Sequence, residues 1–207
     1  MASGRKKEFD ERTALHAAMD VFWAKGFIGA SLTDLTKSMG INKPSMYSTF
    51  GNKESLFLKA TEFYIETKAK AHLKALHEVN TPFSIRLRNY MISIVSMQCG
   101  SEQPKGCFLV LCQSEIAGGQ MPDAAVQLLN QAEEMTKSTF VELFNNDAEA
   151  INLGLNNAAL QNALSLYTVL KGTASMARSG VSLEELTYVI DASLRGIGVI
   201  NSNPSIH

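Results

Sequence analysis

Residues Ser31 to Leu56 read SLTDLTKSMGINKPSMYSTFGNKESL, and the rest of the chain is read outward from this stretch. Leu32, Leu35 and Met39 have the spacing of one apolar helix face. Ser31 precedes them with Asp34 three residues on, a variant of the capping box, in which two side chains satisfy each other's backbone N–H groups. Gly40 ends the helix, because a residue without a Cβ accepts the positive φ of a C-terminal cap. Ile41 is expected to be buried in the turn. Asn42 caps a second helix, and Pro44 falls in its first turn, where a missing N–H costs nothing. Met46 and Phe50, four apart, face inward. Lys43, Ser45, Tyr47, Ser48 and Thr49 remain outside, on a face that is polar, small and aromatic with one formal charge. Such a face suits docking against something polar. The pattern predicts a helix-turn-helix whose second helix fits a DNA major groove.

The run from Gly26 through Gly40 to Leu56 resembles the DNA-binding domain of the TetR family of bacterial transcriptional regulators. That family shows a pattern close to A-G-V-S-x-x-x-x-Y-x-x-F-x-x-K-x-x-L, and Gly40, Ile41, Tyr47, Phe50, Lys53 and Leu56 fill it. The departures are Thr36 where alanine is usual, Asn42 for serine, Pro44 for glycine and Thr49 for histidine; none breaks the helical geometry. The resemblance covers residues 9 to 60 and is carried beyond them only by length and helical pattern. It implies an all-α fold, with a helix-turn-helix DNA-binding domain over 1–52 and a helical ligand-binding and dimerisation domain over 53–207. The implied function is a ligand-responsive regulator, expected to be a repressor, that binds a palindromic double-stranded DNA operator as a homodimer and answers to an unknown small-molecule effector. By the same resemblance Tyr47 and Lys53 reach phosphates, which position a protein without reading sequence. Asn52 adds its N–H at a helix N-terminus, and Ser31 or Thr33 does the same from the helix before. Lys43, Ser45, Ser48 and Thr49 then face base edges.

The charge distribution agrees with such a division. The net charge is −1, but residues 1–60 hold nine Lys/Arg against six Asp/Glu, and residues 61–207 hold ten against fourteen. A basic head on an acidic body suits one domain that meets DNA and one that does not. Arg5, Lys6 and Lys7 form a short basic arm, read either as a solvated terminus or as a contact to phosphate or the minor groove. No apolar run approaches the roughly 20 residues of a membrane span. The start of the chain is too polar for a secretory signal, and three cysteines without framework spacing suit a reducing cytoplasm.

Along the head, Asp10 is expected to cap a first helix that Gly26 closes, with Phe22, Trp23, Phe27, Leu35, Ile41, Met46 and Phe50 forming the small core. Asn52 caps a further helix. With no proline or glycine between 52 and 81, that helix is expected to run unbroken from Lys53 to near Glu78, belonging partly to head and partly to body. A rigid rod of this kind carries movement of the body to the head. Thr81-Pro82 opens a helix to about Cys99, and Pro122 one to about Phe144. Gly106 to Cys112 is an apolar run read as a buried helix or a strand.

Two helices finish the chain, over about 158–178 and from the Ser182-Leu183-Glu184-Glu185 capping box onward. The first carries Leu160, Leu164, Tyr167 and Leu170 and then turns small around Gly172. The second carries a stripe of Leu186, Val189, Ile190, Leu194 and Ile197. This pair resembles the family's dimerisation helices, which makes Leu164, Gly172, Leu186, Ile190, Leu194 and Ile197 the expected interface; the alternative is burial against the same chain.

The body is rich in Met and aromatic residues, most of which at helical spacing are core. Met91, Cys107, Phe108 and Tyr167 are the candidates for a ligand cavity between helices. Cys107 has two readings, a packed thiol at the start of an apolar run or a cysteine that senses reactive compounds, as in one branch of the family. Histidines 16, 72, 77 and 207 form no metal pattern, no phosphate loop is present, and no serine or cysteine is coupled to a histidine and an acid. No catalytic residue, metal or cofactor is expected. A helical partner-binding protein without DNA binding is the alternative function, and a small helical enzyme the third.

Overall fold

The structure is a computed structural model and describes residues 9–200. The Arg5-Lys6-Lys7 arm and His207 lie outside the described residues. Among those described, every regular element is helical.

The head is made by α1 (Glu11–Gly29), α2 (Leu32–Met39) and α3 (Lys43–Phe50), followed by α4 (Lys53–Tyr64). Each begins on a side chain that bonds the backbone three residues ahead. Asp10 accepts from Thr13 N–H, Ser31 and Asp34 form the expected capping box, Asn42 accepts from Ser45 N–H and Asn52 from Ser55 N–H. These bonds remove the orphan donors that otherwise fray a helix start. Gly40 closes α2 in the left-handed conformation. Phe22, Trp23, Leu35 and Met46 are fully buried and Phe27 and Phe50 nearly so, while Ile41 is only partly buried.

The body comprises α5 (Phe83–Cys99), α6 (Phe108–Glu115), α7 (Asp123–Asn146), the short α8 (Ala148–Asn152), α9 (Ala159–Arg178) and α10 (Leu183–Gly196). The run from Gly106 to Cys112 is therefore the entry into a helix, not a strand. Arg86 pairs with Asp147 at 2.7 Å and Arg88 makes a two-point contact with Asp191 at 2.6 and 3.0 Å. Those pairs tie α5 to the start of α8 and to α10.

The unbroken helix expected from Lys53 to Glu78 is not found. α4 stops at Tyr64, the chain widens into a π turn over Ile65–Ala69, and it tightens into a 3-10 stretch over Lys70–His77. At this change of pitch the Thr67 hydroxyl donates to Phe63 C=O at 2.6 Å. A hydroxyl that takes the i−4 carbonyl competes with the backbone N–H for it. Departures from α pitch of this kind collect at functional sites, and this one forms a wall of the body cavity described below.

Two apolar clusters hold the molecule together, and they do not divide between residues 52 and 53. Phe108 and Cys112 of α6 and Ala125 and Leu129 of α7 share the head's cluster with Phe22, Trp23, Phe57 and Tyr64. Phe108 is fully buried and stacks on Tyr64 and Phe57, at ring separations of 5.1 and 5.8 Å. It is a wedge between head and body, so its expected role as a ligand contact is corrected. Met91 is likewise fully buried, in the second cluster with Phe83, Leu87, Phe140 and Leu166, and is core.

That second cluster also absorbs the stripe of α10. Leu186, Ile190 and Leu194 have no exposed surface within a single chain, and Ile197 packs beside them. Leu186, Ile190 and Leu194 therefore offer no surface to a second copy, while Ile197 is only partly buried. The periodicity identified a buried face correctly, but α5 and α9 of the same chain cover it. Leu164 and Gly172 remain exposed on α9.

Candidate nucleic-acid interface and the body cavity

On α3 the outward side chains are Lys43, Tyr47 and Ser48, with Ser45 and Thr49 partly covered. Tyr47 is 48% exposed, unusual for so large an aromatic residue. α3 contains no acidic residue, so nothing on it repels a phosphate. The Ser48 hydroxyl donates to Ser45 C=O at 3.0 Å, which leaves its oxygen as an acceptor. Asn52 is exposed at the N-terminus of α4, where the helix dipole favours an anion.

Ser31 is exposed, and its hydroxyl is occupied by Asp34: it donates to Asp34 Oδ2 at 2.7 Å and accepts from Asp34 N–H at 3.0 Å. Lys25 pairs with the same carboxylate at 2.7 Å. The Lys25 bond, with help from Ser31, holds the Asp34 carboxyl well below its ordinary range. Ser31 and exposed Thr33 thus sit beside a carboxylate that Lys25 neutralises.

Lys53 is placed differently from the other candidates. Its ammonium lies over the Phe27 ring, 4.5 Å from the centroid, and partial burial lowers its pKa against the opposing pull of Glu115. Glu115, at the end of α6, accepts from Phe27 N–H at 2.7 Å and from Ile28 N–H at 3.2 Å. Between these groups lies Gly26, with φ +74 and the Glu115 carboxylate filling the space a Cβ would take. Only glycine serves there, on both counts.

A second tie lies beside the first. Trp23 Nε1–H donates to Gly106 C=O at 3.2 Å, and Arg178 Nη2 donates to Trp23 C=O at 3.2 Å. A Cβ on Gly106 would stand 2.7 Å from the Ala174 carbonyl oxygen. Head and body are therefore joined through α1 and α6 as well as through α4. Sequence reading missed Glu115, because its partners are 87 and 88 positions away and carry no side-chain signal. The one local hint was Gly26.

Behind this joint α6 becomes a wall of a partly open cavity of about 160 Å³, lined also by α5, α7, α9 and the π and 3-10 stretch after α4. Of the residues expected there, Cys107 and Tyr167 line it. The Cys107 sulfur is 3.5 Å from Tyr64 Oη. Burial, with Cys107 nearby, pushes the Tyr64 hydroxyl well above its ordinary range. Cys112 is fully buried, and burial pushes its thiol up strongly. Tyr167 is pushed up by burial and by Glu133, and Tyr90, also in the wall, is pushed up to about 12 by burial. Glu133 and Lys171 face each other at 3.4 Å. Gln98, at 1% exposure, has an Oε1 without a hydrogen-bond partner.

On the outer faces of α9 and α10, Leu160, Leu164, Met176, Leu183 and Tyr188 are exposed large apolar side chains. Leu160, Leu164, Met176 and exposed Gly172 are separated by multiples of four residues. Among the described residues no helix is long and apolar enough to cross a membrane, and no group of three or more His, Cys, Asp or Glu is placed to hold a metal.

The family model described as bacterial regulatory proteins, tetR family, matches residues 14–60. A regulator from Bacillus subtilis (strain 168), the uncharacterized HTH-type transcriptional regulator YezE, is 31% identical over 201 residues, covering 91% of this chain and all of that one. The HTH-type transcriptional repressor ComR of Escherichia coli (strain K12) is 28% identical over 194 residues, 93% of this chain and 90% of the relative. Among solved structures, a cysteine mutant of the TetR family transcriptional regulator CifR, complexed with 26 bp double-strand operator DNA, superposes with a TM-score of 0.80 at 30% identity. It covers 92% of this chain and 98% of that one.

Proposed function

Because the chain belongs to the TetR family of bacterial transcriptional regulators, which are DNA-binding transcription factors and not enzymes, we propose that it is a cytoplasmic repressor that binds a two-fold operator as a homodimer and leaves it when a small molecule fills the body cavity. The observation that carries the ligand response is the double role of α6. One part of this helix lines the cavity with Leu109, Val110 and Gln113, just after Cys107, and its last residue, Glu115, holds the backbone of the head at Phe27 and Ile28. A ligand that displaces α6 moves the carboxylate on which the end of α1 rests. Because two heads must meet successive major grooves roughly 34 Å apart, a small change of tilt removes one of them from register.

In this reading residues 1–52 supply the DNA contacts and 53–207 the cavity and dimer face. Tyr47, Asn52, Lys53 and the Ser31–Thr33 helix start hold phosphates, and Lys43, Ser45, Ser48 and Thr49 meet base edges. The dimer face is the exposed stripe of Leu160, Leu164, Gly172 and Met176 on α9 with Leu183 and Tyr188 on α10. Exposed apolar residues collected on two adjacent helices favour a covering partner, and a second copy satisfies two-fold DNA.

The test is fluorescence anisotropy with DNA from upstream of the protein's own gene, across a salt series. Lys53→Ala should weaken specific and random DNA alike. It should flatten the plot of log K against log salt by about 0.9 for each phosphate that is no longer neutralised, about twice that for a dimer. A wild-type protein that shifts no DNA would favour the partner-binding reading. An unchanged slope would mean that Lys53 does not meet a phosphate.

A further inference from the structure

We propose that the molecule the cavity takes is compact, neutral and largely apolar, an aromatic or alicyclic ring carrying a single hydroxyl or N–H donor, and that this donor bonds Gln98 Oε1. The proposal rests on the effector reading above and adds the chemical class. Size comes first. A partly open cavity of about 160 Å³ is comparable to engineered apolar cavities near 150 Å³ that admit benzene, so it has room for one ring with a short substituent.

Polarity is decided by Gln98. Its Nε2 donates to Leu170 C=O at 3.5 Å. That carbonyl can only accept, so the amide cannot be turned round to bring its oxygen there. Oε1 therefore stays an acceptor, and among the described residues it is the buried side-chain oxygen or nitrogen without a partner. Several donors elsewhere in the wall already have acceptors, although among the described residues no bond is made by the Tyr90 hydroxyl. Tyr167 Oη donates to Gln113 Oε1 at 3.5 Å, and Lys171 Nζ to Glu133 at 3.4 Å. A buried acceptor without a donor is a standing cost, which an incoming O–H or N–H removes.

Neutrality follows from the charges. Glu133 and Lys171 neutralise each other, Lys137 adds a second cation to Glu133 at 3.3 Å, Lys70 pairs with Glu66 at 2.7 Å, and burial lowers the pKa of the His72 ring. An ion entering the cavity would find no uncommitted counter-charge and would lose its hydration.

The experiment is titration calorimetry on the full chain with phenol, toluene and benzoate. Phenol and toluene share one shape and differ in the donor. Wild type should bind phenol at least tenfold more tightly than toluene and benzoate more weakly than either. Gln98→Met, which keeps length and removes the amide, should abolish or reverse the phenol preference. Equal affinities for phenol and toluene in wild type overturn the proposal, because a resident water then satisfies Oε1. Preference for benzoate, failure of all three to bind, or a phenol preference that survives in Gln98→Met also overturn it. The wild-type ratios decide even if Gln98→Met does not fold. Operator affinity measured at saturating phenol separates the two readings. Phenol bound through Gln98 without DNA release leaves the cavity chemistry standing and removes the effector role. Release by a different class of molecule, indifferent to Gln98, does the reverse.

Discussion

The head starts each of its helices on a local cap: Asp10, Ser31, Asn42 and Asn52 bond backbone groups three residues on. In the body α5, α6, α7 and α9 begin on Pro82, Cys107, Pro122 and Ala158 with no side-chain cap of their own. The α5 start instead borrows Glu149, whose carboxylate accepts from Phe83 N–H across 66 positions. Head helices are thus all specified where they start, whereas in the body only α8 and α10 carry such caps, at Asp147 and Ser182, and the other four depend mainly on what they pack against. An element whose position depends on distant partners can be repositioned by changing those partners. That suits a cavity wall and would be a defect in a surface that must match DNA.

The largest effect should come from breaking the body's long-range packing. Leu194→Ala removes a fully buried side chain and should cost about 2–5 kcal/mol, read as a lower urea midpoint. Leu164→Arg, on the exposed face of α9, should leave the helical spectrum intact and halve the mass seen by light scattering. A Leu164→Arg protein that stays dimeric would place the interface elsewhere. If Leu194→Ala cost less than about 0.5 kcal/mol, α10 would not be core.

Next comes the joint between the regions. Glu115→Ala leaves the Phe27 and Ile28 N–H groups without their acceptor, a loss of roughly 1–3 kcal/mol. Hydrogen exchange at those two amides should rise with it. Glu115→Gln, which keeps an acceptor oxygen and loses the charge, should fall between wild type and Glu115→Ala. Amides that exchange no faster in Glu115→Ala would show that the carboxylate does not hold the head.

A smaller loss is expected inside the head. Asn42→Ala removes the acceptor for Ser45 N–H at 2.8 Å and should cost about 1 kcal/mol, with Asn42→Asp restoring most of it. A neutral Asn42→Ala would mean that α3, like the uncapped body helices α5, α6, α7 and α9, is held by packing.

How much could be read from sequence follows the same division. The four head caps, the close of α2 at Gly40 and the inward pair Met46 and Phe50 are local patterns, and the structure shows them where expected. The stripe of α10 is legible as a buried face, but periodicity reports that a face is covered and not by what, so Leu186, Ile190 and Leu194 read equally well as a face for a second copy. The change of pitch after Tyr64 leaves no Pro or Gly in the sequence, so the pattern there reads as an unbroken helix. Phe108 and Cys107 are neighbours in one apolar run, and nothing local says that one wedges under the head while the other lines the cavity. Gln98 and Glu115 become visible only through partners far along the chain.

The smallest prediction concerns His72, which anchors the 3-10 stretch to α5. The Ser93 hydroxyl donates to Tyr90 C=O at 2.7 Å, so it must accept from His72 Nδ1–H at 2.9 Å. That fixes the neutral tautomer and leaves His72 Nε2 against the Met97 sulfur at 3.4 Å, a weak partner for a second proton. Burial accordingly lowers the pKa of the ring from its ordinary value. Between that lowered value and about 6.5 the unfolded chain binds the extra proton and the folded chain does not. The stability His72 contributes is therefore fully present above about pH 6.5 and is lost as pH falls through the folded value. One proton sets the ceiling, about 1.4 kcal/mol per pH unit. Asp20, which burial raises, acts in the opposite sense, and its ordinary value lies well below that of histidine, so the histidine is isolated by difference. Urea unfolding from pH 7.5 down to 5 should show wild type losing stability faster than His72→Asn. Parallel curves would mean that the ring takes up its proton in place and that the cavity wall it anchors is indifferent to pH.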